Sequence, residues 1–182
     1  MNKTALVIIS DRFEEIEAVT SIDILRRAEV ETIVASRTNA LYVTGRCGIK
    51  VLADCMLEDV PARAWDLIVL PGGPGFTAMR QDGRVLDMVR NQVAAGRMVA
   101  AICAAPTVLK DAGVIKGRRI TAHHSVIDEL PGALEKEDVV SDGPIVTSRG
   151  AGTALPFALT LVEKLCGYNK ALQIAHTICT EV

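Results

Sequence analysis

The chain has 182 residues, of which 49% are hydrophobic, and a formal net charge of −2; these values fit one soluble globular domain large enough to bury a full core. No run reaches the roughly 18 apolar residues that a membrane helix needs, and the opening MNKTALVIISDRFEE turns acidic too early for a secretory signal, so a cytoplasmic setting is expected. Aromatic content of 3% and the lack of a basic stripe exclude a nucleic-acid surface, while Cys47, Cys55, Cys103, Cys166 and Cys179, irregularly spaced and without a C-x-x-C pair, indicate free thiols rather than a disulfide framework or a metal site.

Short apolar runs alternate with amphipathic stretches, the pattern of a parallel sheet covered by helices. In chain order the runs predict strands over 4–9 (TALVII), 31–35 (ETIVA), 66–70 (DLIVL), 98–102 (MVAAI), 119–121 and 145–147 (IVT). A hairpin or edge ribbon is predicted over 41–53, where Gly45 and Gly48 punctuate, and helices over 15–28, 82–95, 105–112, 152–166 and 170–178. In the first helix Ile16, Val19 and Ile22 recur at three-residue spacing, widened by Ile24 and Leu25, which reads as a face covering the sheet. Repeats, low-complexity tracts and linkers are missing, so the whole chain, 1–182, is expected to form one domain.

In an open α/β sheet, ligands bind outside the carboxyl ends of the strands. That rule brings four loops to one edge: SDRFEEIE after the first strand, PGGPGF after the 66–70 strand, CAAP after the 98–102 strand and SRGAGT after the 145–147 strand. Cys103 ends a strand, and Pro106 sits where the first turn of a helix tolerates proline. The thiol is therefore expected at a strand-to-helix elbow, where backbone N–H groups favour an anion and lower a thiol pKa. An arbitrary cysteine is more often a small core hydrophobe, but the elbow context favours a nucleophile. Gly72 and Gly73 leave room for backbone to approach a ligand and donate to a developing oxyanion. Glu14 and Glu15 open a helix, where capping is their expected use. Glu17 lies one turn further in and can aim back towards Cys103; a carboxyl beside a thiolate should have a raised pKa and titrate jointly with it. His123 and His124 fall near the same edge, either as an acid, a base or a polar wall, or simply as solvated loop residues. His176 is read as structural.

The blocks ALVIISDRFEEIEAVTSIDILRRA (5–28), LADCMLEDVPARAWDLIVLPGG (52–73), AAICAAPTVL (100–109) and IVTSRGAGTALPFALTLVE (145–163) together resemble the ThiJ/PfpI superfamily, and within it the branch of the Parkinsonism-associated deglycase and bacterial YajL. The resemblance implies a flavodoxin-like, doubly wound α/β sandwich with a mostly parallel sheet, a homodimer, and an oxidation-sensitive nucleophile at Cys103. It maps the acidic partner of the cysteine onto Glu17, oxyanion donors onto Gly72, Gly73 and Ala104, a site-lining histidine onto His123, and an arginine reaching the neighbouring subunit's site onto Arg27. This chain reads Gly45-Arg46-Cys47 where many relatives have C-S-R, so the family's arginine there is not matched in register, and Gly150-Ala151-Gly152 where many have G-P-G. Ala104 after Cys103 lacks the histidine of the PfpI-type proteases, and the late His-x-Glu pair of glutamine amidotransferases is missing. The expected function is a cofactor-independent, metal-free glyoxalase or deglycase acting on 2-oxoaldehydes or on early glycation adducts of thiols and amines. The competing readings are a redox-responsive protective protein or chaperone and, weakest for want of a G-x-G-x-x-G or Walker motif, a nucleotide-binding module.

Overall fold

In the first strand, β1 (Thr4–Ile9), Ala5, Val7 and Ile9 pack into one core and Leu6 and Ile8 into another, all fully buried. A strand buried on both faces has no polar side to show, which explains why its sequence reads as a continuous apolar run. This computed structural model describes residues 3–181. Parallel to β1 run β2 (Glu31–Ser36), β5 (Cys55–Met56), β6 (Leu67–Leu70), β7 (Met98–Ile102) and β9 (Ile145–Ser148), with β8 (Val139–Asp142) antiparallel at one edge. The sheet order is β5-β2-β1-β6-β7-β9-β8, and β3 (Tyr42–Thr44) and β4 (Lys50–Leu52) form a separate antiparallel ribbon, which matches the predicted hairpin.

Helices α1 (Glu15–Arg27), α5 (Ala154–Cys166) and α6 (Tyr168–Thr177) cover one face, through residues such as Leu25, Phe157 and Ile174. Helices α2 (Phe76–Arg80), α3 (Gly83–Ala94) and α4 (Pro106–Asp111) cover the other, through Met79, Val89 and Leu109. The arrangement is the expected flavodoxin-like α/β sandwich. From β1 the chain moves outward to β2 on one side and later returns to β6 on the other. At such a reversal a crevice opens beyond the strands' carboxyl ends.

Three expectations change. The 119–121 segment is not a strand: Thr121 N–H donates to the Thr147 hydroxyl, 2.8 Å, rather than to a backbone ladder. The partner edge of β9 belongs instead to β8, which turns back through Gly143-Pro144. Gly143 takes a φ of +56°, so the D-G dipeptide is a turn signal. Finally, α1 buries Ala18, Ser21, Ile24 and Leu25 but leaves Ile16 55% and Val19 45% exposed. That apolar stripe is wider than the face the sheet covers. No helix among the described residues is long and apolar enough to cross a membrane.

Candidate active site

Strand β7 delivers Cys103 directly into the turn before α4, and there the backbone takes a φ of +65°. A residue with a Cβ resists this left-handed region at a cost of about 1–3 kcal/mol, recovered from the surrounding structure. Two bonds hold it: Cys103 N–H donates to Ser148 O of β9, 2.9 Å, and Cys103 O accepts from His123 N–H, 2.8 Å. The bend lifts the sulfur off the sheet edge, and the N–H groups of Gly73 and Ala104 point at it.

Glu17 is completely buried, one turn into α1. Glu14 caps that helix by accepting the Glu17 N–H at 2.9 Å, and Glu14 N–H in turn donates to Gly72 O, 3.0 Å, which ties the helix start to the glycine loop after β6. Glu17 Oε2 accepts the Gly72 N–H at 2.8 Å, whereas Oε1 is buried with no hydrogen-bond partner. The carboxyl lies against the thiol. A methyl group on Gly72 would stand 2.6 Å from the Cys103 Cβ and 2.8 Å from Glu17 Oε2, so any side chain there would be driven between them. Gly73, at φ +79°, lies against the backbone of residues 12–14 and excludes a side chain for a second reason.

Burial pushes the Glu17 carboxyl up to about 7, although the Gly72 N–H and the thiol pull it down. With Glu17 ionised, burial and then the carboxylate charge drive the Cys103 thiol up to about 12, against the lowering by the Gly73 and Ala104 amides. This reverses the expectation of a thiol depressed by the helix terminus alone: α4 is only six residues long, and the nearest full charge is an anion. The pair titrates jointly. Placing its shared proton on Glu17 Oε1 removes that anion and supplies the one oxygen without a partner with a donor role, while the sulfur keeps two N–H donors.

His123 stands beside the thiol: a methyl on Gly150 would lie 3.3 Å from the His123 Cδ2, 3.9 Å from Cys103 Sγ and 3.9 Å from Glu17 Oε1. The Ser125 N–H donates to His123 Nδ1 at 3.2 Å, with the Ser125 hydroxyl at 2.8 Å. Because Nδ1 accepts, the ring carries its proton on Nε2. Burial, then the neighbouring His124 and Arg46, lower its pKa, which keeps the ring neutral near pH 7.

The expected residues do not all assemble as the sequence proposed. Cys103, Glu17, Gly72, Gly73, Ala104 and His123 converge. Gly72, expected as an oxyanion donor, gives its N–H to Glu17 instead, leaving Gly73 and Ala104 directed at the sulfur. Arg27 sits ten residues beyond Glu17 along α1, about 15 Å at 1.5 Å per residue, and its Nε donates to Asp23 at 2.8 Å, so within one chain it does not reach the thiol. Glu15 does not cap the helix; its Oε1 accepts the Cys47 N–H at 2.7 Å and fastens the β3–β4 ribbon to α1. The ribbon does contribute an arginine, since the charge of Arg46 acts weakly on both Glu17 and His123. Gly150 enters the sequence reading only through the SRGAGT loop and the Gly150-Ala151-Gly152 departure from G-P-G, and Ser125 has no signal there. Among the described residues no three His, Cys, Asp or Glu side chains gather as metal ligands would.

A thiol on a strained elbow, a buried carboxyl sharing its proton and a neutral histidine at the mouth of a doubly wound sheet define a cysteine-centred α/β protein. Residues 3–164 match the DJ-1/PfpI family model. The chain is 39% identical over 179 residues to protein dj-1beta of Drosophila melanogaster, covering 96% of each chain. The crystal structure of that protein superposes with a TM-score of 0.97 at 38% identity, covering 100% of both chains. The glutathione-independent glyoxalase DJR-1.2 of Caenorhabditis elegans is 32% identical over 181 residues, 97% of this chain and 96% of the relative. A structure of Toxoplasma gondii DJ-1, oxidized, matches with a TM-score of 0.95 at 35% identity over 99% of this chain and 100% of the other. The chain belongs to the DJ-1/PfpI family.

Proposed function

We propose that the protein is a cytoplasmic glyoxalase or deglycase that uses Cys103 to convert 2-oxoaldehydes, or early glycation adducts of thiols and amines, to 2-hydroxy acids without an organic cofactor or a metal. The observation that carries this reading is the pairing of a thiol held by two amides with a carboxyl raised to about 7 by burial. Such a carboxyl is a proton donor and acceptor near neutral pH. The thiolate adds to the aldehyde carbon, and the carbonyl oxygen takes the Glu17 proton to give a hemithioacetal. Glu17, now ionised, takes the proton from that same carbon, giving an enediolate with its charge on the second oxygen. The hydroxyl proton of the first carbon passes to that second oxygen, and Glu17 returns its proton to the second carbon, leaving a 2-hydroxy thioester. Water then splits the C–S bond, releasing the 2-hydroxy acid and restoring the thiol. The His123 Nε2–H and the Gly73 and Ala104 amides stabilise the oxygen that carries charge. The relative named as a glutathione-independent glyoxalase supports the assignment.

The exposed Ile16, Val19, Tyr42, Ile49 and Leu52 on α1 and the ribbon support a homodimer through that face, with Arg27 at its rim. The test of function is lactate production from methylglyoxal without glutathione, wild type beside Cys103→Ala. Many turnovers per chain that vanish in the variant are expected; a folded wild type that makes no lactate refutes the enzyme.

A second reading has its own observation, the partial exposure of the same thiol beside the Glu17 donor. Two equivalents of peroxide would convert the thiol to a sulfinic acid and two waters, with the sulfinate held by Glu17 and the amides. It predicts stoichiometric consumption of oxidant in place of turnover.

A further inference from the structure

At the opposite, amino-terminal edge of the sheet lies a cavity of about 280 Å³ between the 3-10 turn Leu57–Asp59 and α3. Its apolar walls are Leu57, Val60, Trp65, Ile68 and Met88. Trp65, just before β6, is 4% exposed, and the Arg63 guanidinium lies 4.1 Å from the centre of its ring. The Gln92 amide is committed to the wall, its Nε2 donating to Trp65 O at 2.8 Å and to Met98 O at 3.2 Å. The remaining polar groups face a different situation. Arg63 is balanced by Glu31 at 2.9 Å, but Arg97, just before β7, has no ion-pair partner among the described residues, and the side chain of Asn91 makes no hydrogen bond among them. No carboxylate lines the cavity.

We infer that this cavity binds a compact apolar carboxylate, an aryl or branched alkyl acid, with its hydrocarbon against Trp65 and Met88 and its carboxylate on Arg97 and Asn91. Shape, charge and volume each select such a ligand. A concave apolar pocket with a few convergent polar groups is the ordinary form of a small-molecule site. The groups at its end are all donors or amides and include one uncompensated guanidinium, which selects an anion and pairs with a carboxylate in two parallel bonds. The volume of about 280 Å³ accommodates a single ring with a short acid arm. The site is separate from the thiol, since the two lie at opposite ends of β6 and β7.

Trp65 is the chain's single tryptophan, so its emission reports the cavity directly. Sodium phenylacetate and its neutral isostere phenylacetamide would be titrated against Trp65 emission and against the NMR signals of the Trp65 indole and the Asn91 amide. Saturable changes are expected, with the acid binding at least about tenfold more tightly than the amide, as the loss of one charged hydrogen bond implies. Arg97→Gln, an exposed substitution, should bring the acid down to the affinity of the amide, while Cys103→Ala should leave both unchanged. The inference is overturned if neither signal saturates by about 50 mM acid, if acid and amide bind equally, if Arg97→Gln has no effect, or if Cys103→Ala abolishes binding.

Discussion

Replacing Glu17 with leucine tests where the shared proton resides. In the folded chain Glu17 Oε1 is buried without a partner, while the Cys103 sulfur receives the Gly73 and Ala104 amides. A carboxyl that holds the proton donates it to the thiolate, and leucine removes that donor. A hydrogen bond to a charged group contributes about 1.5–3 kcal/mol, and one pKa unit corresponds to about 1.4 kcal/mol, so the apparent pKa of Cys103 should rise by about one to two units. Glu17→Gln, which keeps a weaker N–H donor, should rise less. The assay is the pH dependence of thiolate absorbance, checked by the rate of alkylation with iodoacetamide. The opposite geometry, with an ionised carboxylate repelling the thiolate, predicts a fall in both variants. A fall, or no change, would refute the placement of the proton on Glu17.

The same carboxyl imposes a pH dependence on stability. Its folded pKa, about 7, exceeds its ordinary 4.5, so the native state binds the proton more tightly and stability decreases as pH rises from about 4.5 to about 7. In a Cys103→Ala background, urea denaturation should show that decrease, and adding Glu17→Gln should flatten it. His123→Ala should lower kcat for methylglyoxal by about 10²- to 10⁴-fold if its Nε2–H acts on the reacting oxygen, measured by lactate release; a change confined to KM would make the ring a wall only. Gly150→Ala brings a methyl within 3.9 Å of Cys103 Sγ, and alkylation should slow more for N-ethylmaleimide than for iodoacetamide. Asp82 caps α3 by accepting the Arg84 N–H at 3.0 Å and pairs with Arg37 at 3.2 Å. Asp82→Ala should cost about 1–2 kcal/mol in urea. Because Arg84 holds that carboxyl below its ordinary value, the loss should be present near neutral pH and shrink as acid protonates it.

The sheet was legible wherever a strand was buried on both faces, because a short continuous apolar run bounded by turn residues has little else it can form. It was illegible at β8, where V-V-S-D is half polar and its partner is set by a turn, and at 119–121, where Arg119-Ile120-Thr121 crosses beside β9 without joining it. Helix α2 escaped notice because five residues following Gly75 carry no full amphipathic period. At the site, Cys103 and Glu17 could be named from their places at the end of β7 and one turn into α1, since the carboxyl edge of the sheet gathers them whatever their details. The destination of each hydrogen bond could not. Whether Gly72 N–H serves the sulfur or Glu17 depends on the exact path of the loop after β6, and Glu15 could be read as a cap because nothing in the first helix reveals that Cys47 N–H approaches it. Ile16 and Val19 mislead for a related reason: periodicity reports that a face is apolar and is silent about what covers it.

The left-handed backbone at Cys103 has a consequence for how this protein can fail. Glycine adopts that conformation without strain, so a chain that lost its sulfur there would keep its fold and shed part of the tension at the elbow. Folding quality control inspects exposed surface and unfolding, and it would pass such a chain as sound. The backbone at this position thus places no demand on the sulfur, and replacing Cys103 with glycine would give a folded chain that has lost only its reactive group.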